Sequence, residues 1–324
     1  MIRLSRRSLF AASLLAAPAL RAPAARAQGR PVRAIVPFPA AGGVDVFARA
    51  FVPAFAAALG QSVVIENIGG ASSRVGNQAV LRAPADGQTI LITNDTLAAV
   101  EALPVPGNGP FVPGLAPVMR GVTASHAIVA NPRAGLPDAA AFAGRLRAGR
   151  RVTMGVPGLG TAHHFASELL GQALGGRAEH VAYRGGGPLI IDVLGGTLDT
   201  GIVTLNAAID HVREGRLIAL GVTGNERNPA APDIPTFAET VAPGFDVRTW
   251  IGLLAPAGTP APALAALQAA GLAALADPAV VQRLNGQGFE VAGLGSEAFG
   301  SLLGDTVARF AAVAGAVGLR AEGA

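Results

Sequence analysis

"RAIVPFPAAGGVDVFARAF", residues 33–51, starts as a buried strand, turns over two adjacent glycines and continues with helical spacing of its apolar residues. A short β-rich apolar run, a glycine turn and a 3.6-residue period together make a strand–helix unit. The turn contains neither G-x-x-x-x-G-K-[ST] nor G-x-G-x-x-G, so the nucleotide-phosphate cradles are absent. The form of an anion site remains, because bare backbone N–H groups at a helix N-terminus attract a carboxylate or phosphate without a charged side chain.

The same unit repeats outward from this stretch. "VRAIVPF" (32–38) leads into a helix over Val44 to Leu59, "SVVIEN" (62–67) into a helix over Val75 to Arg82, and "QTILITN" (88–94) follows a "PADG" turn. From Val122 the pattern begins again. "HAIVANP" (126–132) precedes a helix over 138–149 capped by Asp138, and "RVTMGV" (151–156), "EHVAY" (179–183), "LDTGIVT" (198–204) and "LIALGVT" (217–223) read as further strands. A proline-rich connection (228–237), a strand "TWIGLLAP" (249–256) and a helical tail from Pro260 complete the chain. Strands alternating with helices predict an α/β fold with mainly parallel sheets flanked by helices. Two such series, with a tail left over, predict a discontinuous domain 1 (28–121 and 252–324), a domain 2 (122–251) and a cleft between them.

Residues 1–27 read as an export signal: arginines at 3, 6 and 7, an apolar run from Leu9 to Leu20, and Ala25-Arg26-Ala27 as a small-x-small cleavage site. "SRRSLF" fits a twin-arginine signal, but a plain secretory signal would also use arginines, since the chain has no lysine. The whole chain carries +4; without the five arginines of the signal, 20 basic residues face 21 acidic ones, a net −1. Nucleic acid is therefore a poor partner, because backbone binding needs a basic patch. Zero cysteines exclude disulfides, thiolate metal sites and cysteine nucleophiles.

Two further glycine loops sit where open α/β sheets bind ligands. "MGVPGLGTAHHFASELL" (154–170) repeats strand, glycine turn and helix, with Gly158, Gly160 and Thr161 at the turn; "HVAYRGGGPLIIDVLGGTLDTGI" (180–202) holds Gly185 to Gly187 between strand and helix. Such glycines also serve as plain tight turns, but one loop per domain places two of them face to face. Adjacent His163 and His164 point about 100° apart on a helix and do not ligate one metal as an i, i+4 pair does. No serine has glycines at both minus two and plus two, which removes the nucleophile elbow. One Trp and one Tyr are too few for a sugar cleft built on aromatic stacking. No cofactor and no metal are expected.

The ordered motifs "IVPFPAAGGVDVFARA", "ALGQSVVIENIGGASSRVGNQAV", "APADGQTILI", "GLAPV", "VAYRGGGPLIIDVLGG", "DHVREGRLIALGVT", "PDIPTFAE" and "WIGLLAPAGTP" resemble the Bug-type solute receptors, extracytoplasmic binding proteins of tripartite tricarboxylate transporters. The resemblance spans the chain from about Pro31 to the C-terminal helices. It implies a two-domain Venus-flytrap receptor, periplasmic and non-catalytic, that closes on a small organic acid and meets integral-membrane transporter subunits. The alternatives are a receptor presenting its ligand to a membrane sensor, and an exported enzyme on the same scaffold. The family's first grip corresponds here to Phe38, Pro39, Ala40, Ala41, Gly42, Gly43, Val44 and Asp45. Its second corresponds to Gly158, Gly160, Thr161, Ala162, His163 and His164, and we add Tyr183 and Gly185 from the third loop. Departures are also legible: Val44 stands where the family carries a hydroxyl, Ala41 adds a methyl, Ala162 and His163 replace small hydroxyl residues, and Val203-Thr204 lacks an acid. The segment after Asp95 is missing the family's tyrosine-bearing stretch. These changes disfavour an amino acid, whose ammonium wants an acidic partner, and favour an apolar or aromatic monocarboxylate within the expected range of mono- and dicarboxylates.

Overall fold

The computed structural model describes residues 30–105 and 110–319. The expected export signal, residues 1–27, lies outside them. The first lobe runs β1 (Val32–Val36), α1 (Gly43–Leu59), β2 (Val63–Asn67), α2 (Arg74–Leu81), β3 (Thr89–Asn94) and α3 (Thr96–Ala102). Strand β4 (Leu115–Ala130) then leads to α4 (Ala139–Arg147), β5 (Thr153–Val156), α5 (Ala162–Leu174), β6 (Glu179–Ala182), α6 (Gly186–Gly195), β7 (Thr200–Thr204), α7 (Leu205–Arg213) and β8 (Ile218–Val222). The chain returns through α8 (Phe237–Thr240), β9 (Arg248–Pro256), α9 (Ala261–Ala276), α10 (Pro278–Gly286), β10 (Phe289–Leu294) and α11 (Ser296–Val317).

The strands follow the order β2-β1-β3-β9-β4-β7-β5-β6, with β10 and β8 also pairing with β4. Each lobe keeps parallel ladders, β1 with β2 and β3 in the first, β5 with β6 and β7 in the second. The strands that link the lobes, β4 and β9, pair antiparallel. Strand β4 is the common member: residues through Ser125 pair with β9, and those from His126 pair with β7 and β8. At about 3.3 Å per residue such a strand is roughly 50 Å long, enough to belong to two sheets.

Helix α1 shows how sequence period becomes packing. Phe47, Phe51 and Phe55 recur every fourth residue, lie fully buried, and stack with ring centroids 5.2 Å apart. They cover the first sheet together with Leu267 and Leu275 of α9 and Leu284 of α10. The tail thus returns to the first lobe, and α11 packs on α3 and β4. Within it, β10 interrupts the expected helices and extends the first sheet beside β4.

The two lobes touch. Ser72 Oγ donates to the Leu159 carbonyl at 2.8 Å, and Asn228 Nδ2 donates to the Gly288 carbonyl at 2.9 Å. Phe165 of α5 stacks on Phe310 of α11 at 4.7 Å, inside a cluster with Leu97, Trp250 and Phe299.

Candidate functional site

A cavity of about 330 Å³ lies between the lobes. Four helices begin at its wall: α1 with Gly42 to Val44, α5 with Thr161 and His163, α6 with Gly185 to Gly187, and α7 with Thr204. Helices α1, α6 and α7 have no side-chain cap. The first N–H groups of a helix have no acceptor within it, and its N-terminus carries about half a positive charge. Helix α5 differs: Thr161 accepts from the His164 N–H, and the Ala162 N–H donates across the cleft to Thr96 Oγ1 at 3.4 Å. Among the described residues, no Asp or Glu lines the cavity.

Two glycines are required by close approach. A Cβ on Gly43 would stand 3.1 Å from Thr204 Oγ1 and 3.2 Å from Asn206 Oδ1, so the start of α1 rests against the start of α7 across the cleft. Gly185 has φ +108°, and a Cβ there would meet Pro39 at 3.3 Å. Both polar atoms of the Asn206 amide are buried beside Gly43 with no protein partner.

The structure distributes the expected residues between the wall and its support. Phe38, Pro39, Ala40, Ala41, Gly42, Gly43 and Val44 line the cavity, as do Thr161, His163 and Gly185. Asp45 does not reach it. Its buried carboxylate accepts the Ala41 N–H and Arg49 Nε, both at 2.8 Å, and Asn67 Nδ2 at 3.0 Å. Burial pushes this carboxyl upward, but Arg49 and the two N–H donors outweigh it and hold the group below the usual carboxylate range. Asp45 therefore fixes the loop, including Ala41 in the left-handed region at φ 64°.

Gly158, Gly160, Ala162 and His164 stand behind the second loop. The Gly160 N–H donates to His164 Nδ1 at 3.0 Å, so the neutral ring carries its proton on Nε2, 3.8 Å from Glu168 Oε1. Glu168 also takes Arg177 at 2.7 Å and lies 3.4 Å from His180 Nδ1, while Ser167 Oγ holds His180 Nε2 at 2.8 Å. His164, Glu168 and His180 bring three side chains of metal-ligating type, two imidazoles and a carboxylate, within 4.8 Å of one another. The Gly160 bond assigns His164 to bracing the loop instead, since a metal on Nε2 would need a proton on Nδ1, facing another donor. Burial first, then the nearby His180, hold His164 at about 4; burial raises Glu168, and the bonds to His180 and Arg177 bring it down to about 2. Tyr183 donates to Asp192 at 2.6 Å, and burial with that bond pushes its phenol up to about 12. It is engaged on α6, away from the cavity wall.

His163 is the histidine of the wall. Its Nε2 lies 3.2 Å from Thr204 Oγ1, and its ring packs at 4.4 Å on His126, buried in β4 where the strand changes sheets. Burial holds His163 at about 4 and, with His163 alongside, His126 well below its ordinary value. Both rings are neutral at pH 7.

Sequence reading missed the rest of the wall. Asn94 comes from the end of β3 and Thr96 from the start of α3, Ile190, Ile191 and Leu194 from α6, and Ala207 and His211 from α7. The signal was present in part: Thr204, Ala207 and His211 follow the i, i+3, i+7 spacing of one helix face.

Comparison with known proteins agrees with this geometry. The family model described as "Tripartite tricarboxylate transporter family receptor" matches residues 47–319. Protein BugT of Bordetella pertussis is 31% identical over 262 residues, 80% of each chain. The structure of the periplasmic binding protein BugD superposes with a TM-score of 0.83 at 30% identity, covering 90% of this chain and 99% of its own. MatC from Rhodopseudomonas palustris, solved with bound malate, gives 0.79 at 28% identity, covering 88% and 98%. An R. palustris protein solved with adipate gives 0.84 at 27%, covering 90% and 98%. The fold is the two-domain fold of these periplasmic binding proteins.

Proposed function

The chain belongs to the tripartite tricarboxylate transporter receptor family, the Bug-type receptors, and from that premise we propose that it captures a small organic acid in the cleft between its lobes. The supporting observation is the convergence of uncapped helix starts from both lobes on one cavity whose wall carries no acid. A carboxylate placed there takes up N–H groups that lack helical acceptors and gains from the dipoles behind them. A cationic ligand meets the wrong potential. The carboxylates held by the malate and adipate relatives support the same chemistry.

On this reading the protein works outside the cytoplasm, in the periplasm, without catalysis, and delivers its ligand to integral-membrane transporter subunits. We take the moving bodies as the expected 28–121 with 252–324 against 122–251, except that β4 through Ser125 and β9 from Arg248 pair in the first sheet and move with it. Their bend lies in β4 around Ser125 and His126 and in the return segment 223–248, where strand pairing changes hands. Gly43 against Thr204 and Asn206, and Gly185 against Pro39, form the contacts of the closed state.

A thermal-shift panel of mono-, di- and tricarboxylates, amino acids and cationic amines tests the proposal. A ligand that binds only the folded state stabilises it by about 2.7 kcal/mol at a hundredfold excess over its Kd. We expect carboxylates to raise the Tm and amines to leave it unchanged. A shift with amines and none with carboxylates would overturn the reading.

A further inference from the structure

His126 lies where β4 leaves the first sheet for the second, and its main chain is held there from both sides. On one side it pairs with Thr204 of β7, the residue that opens α7 on the cavity wall. On the other, its N–H donates to Thr223 Oγ1 and its carbonyl accepts the Thr223 N–H, each at 3.0 Å. Thr223 then reaches the second crossing, one residue before β9. Its carbonyl accepts the Val247 N–H at 2.8 Å, and its hydroxyl donates to the Val247 carbonyl at 2.6 Å. Both crossings between the lobes are thus tied together beside the start of α7.

The His126 side chain is not held in this way. It is fully buried, and neither ring nitrogen has a partner within the protein. A neutral imidazole carries one donor and one acceptor, so two polar groups stay unmatched in the core. Such groups cost free energy that a well-packed apolar side chain does not. The ring packs on His163 with centroids 4.4 Å apart, and His163 lines the cavity with its Nε2 3.2 Å from Thr204 Oγ1. In this structure the lobes are together, with the start of α1 resting on Thr204 at Gly43.

We propose that His126 sets the affinity of the cleft from behind its wall: the ring is unmatched when the lobes close, gains water as a partner when they part, and so favours release. Parting withdraws α1 from Thr204 and opens the His163–His126 stack toward solvent. The inference rests on the receptor reading above and adds a residue outside the wall that tunes capture. A closed state that is rarer in the free protein lowers the apparent affinity in proportion. An apolar side chain at position 126 removes that bias and should tighten binding without touching the bound molecule. Ser125 supplies the comparison. Its Oγ is also buried without a partner, but neighbouring strand residues point to opposite faces, so it lies on the side away from His163.

Small-angle scattering of the unliganded protein and calorimetric titration with adipate test the proposal on wild type, His126→Leu, His126→Phe and Ser125→Ala. The unliganded His126 variants should be more compact than wild type, and at least one should bind adipate about tenfold more tightly. Ser125→Ala should match wild type in both measurements. Wild-type dimensions, weaker adipate binding or loss of folding in both His126 variants would mean that the ring is matched when the lobes close, and would overturn the proposal. An equal gain in Ser125→Ala would overturn its assignment to the ring. Adipate that binds none of these proteins would count against the receptor reading, and the scattering comparison would then decide the role of His126 by itself.

Discussion

Asp45 illustrates how a single side chain positions a site without touching its contents. Its carboxylate gathers the Ala41 N–H, Arg49 and Asn67, and so holds the loop that opens α1. Asp45→Ala leaves three donors short of an acceptor and should cost about 1–3 kcal/mol of stability. The folded-state pKa is lowered, so the contribution is present above the ordinary carboxylate value and is lost as pH falls through the lowered one. The gap between wild type and variant in denaturant titrations should therefore narrow below about pH 4; a gap independent of pH would contradict the role. The buried histidines act over a higher range. With His163 and His164 held at about 4 when folded, the unfolded chain binds more protons between about pH 6.5 and 4. Each then removes up to about 1.4 kcal/mol per pH unit as pH falls. Asp95, pushed up to about 7 by burial against its bond from Thr249, works in the opposite direction. The contrast of wild type with His163→Asn isolates one group: the variant should lose less stability on acidification. Parallel pH profiles would mean that His163 titrates as it does in the unfolded chain.

At the scale of elements, the proposed receptor draws its attraction for a carboxylate from three uncapped helix starts and its fit from two glycine contacts. Gly43→Val tests the fit without disturbing a special backbone angle, because Gly43 has no positive φ. The added side chain would press on Thr204 and Asn206 across the cleft, so ligand affinity should fall at least tenfold while the unfolding midpoint of the free protein stays near wild type. Ser72→Ala removes the 2.8 Å bond to Leu159 between the lobes. A net hydrogen bond of about 1 kcal/mol predicts a roughly fivefold weaker Kd, measured by calorimetry; an unchanged Kd would mean that this contact does not belong to the bound state. Strands and helices with a clear period were legible in the sequence, since β1, α1 and β5 through β8 each pair an apolar run with a glycine or proline stop. The first half of β4 was not: Pro117 and Gly121 break its alternation, and its pairing with β9 shifts register at both places. Strand β10 was hidden inside an alanine-rich tail, where its short run "FEVAGL" lies between two helices.

For the whole molecule, the division of labour in the site follows from what a sequence displays. Glycine turns at strand ends are local, so the loops around Gly43, Thr161 and Gly185 were visible as a group. Which residues of those loops face the cavity depends on the approach of two lobes, and that is a tertiary fact. Asp45, His164 and Tyr183 consequently moved from the expected wall to its support, while His211 and Ile190 entered from helix interiors. The same approach of lobes underlies the proposed closure around a carboxylate. Small-angle scattering should show the protein contracting when a bound carboxylate is added, and Gly43→Val should stay at the unliganded dimension.

Calorimetric titration of the protein with a diacid that shifts its Tm, beside the neutral diamide of the same carbon skeleton, isolates the central claim. Both ligands match in length and apolar middle, and only one carries charge to the helix starts. The account predicts saturable binding of the diacid and at least a hundredfold weaker binding of the diamide; equal affinity for the two would contradict an anion site between the lobes.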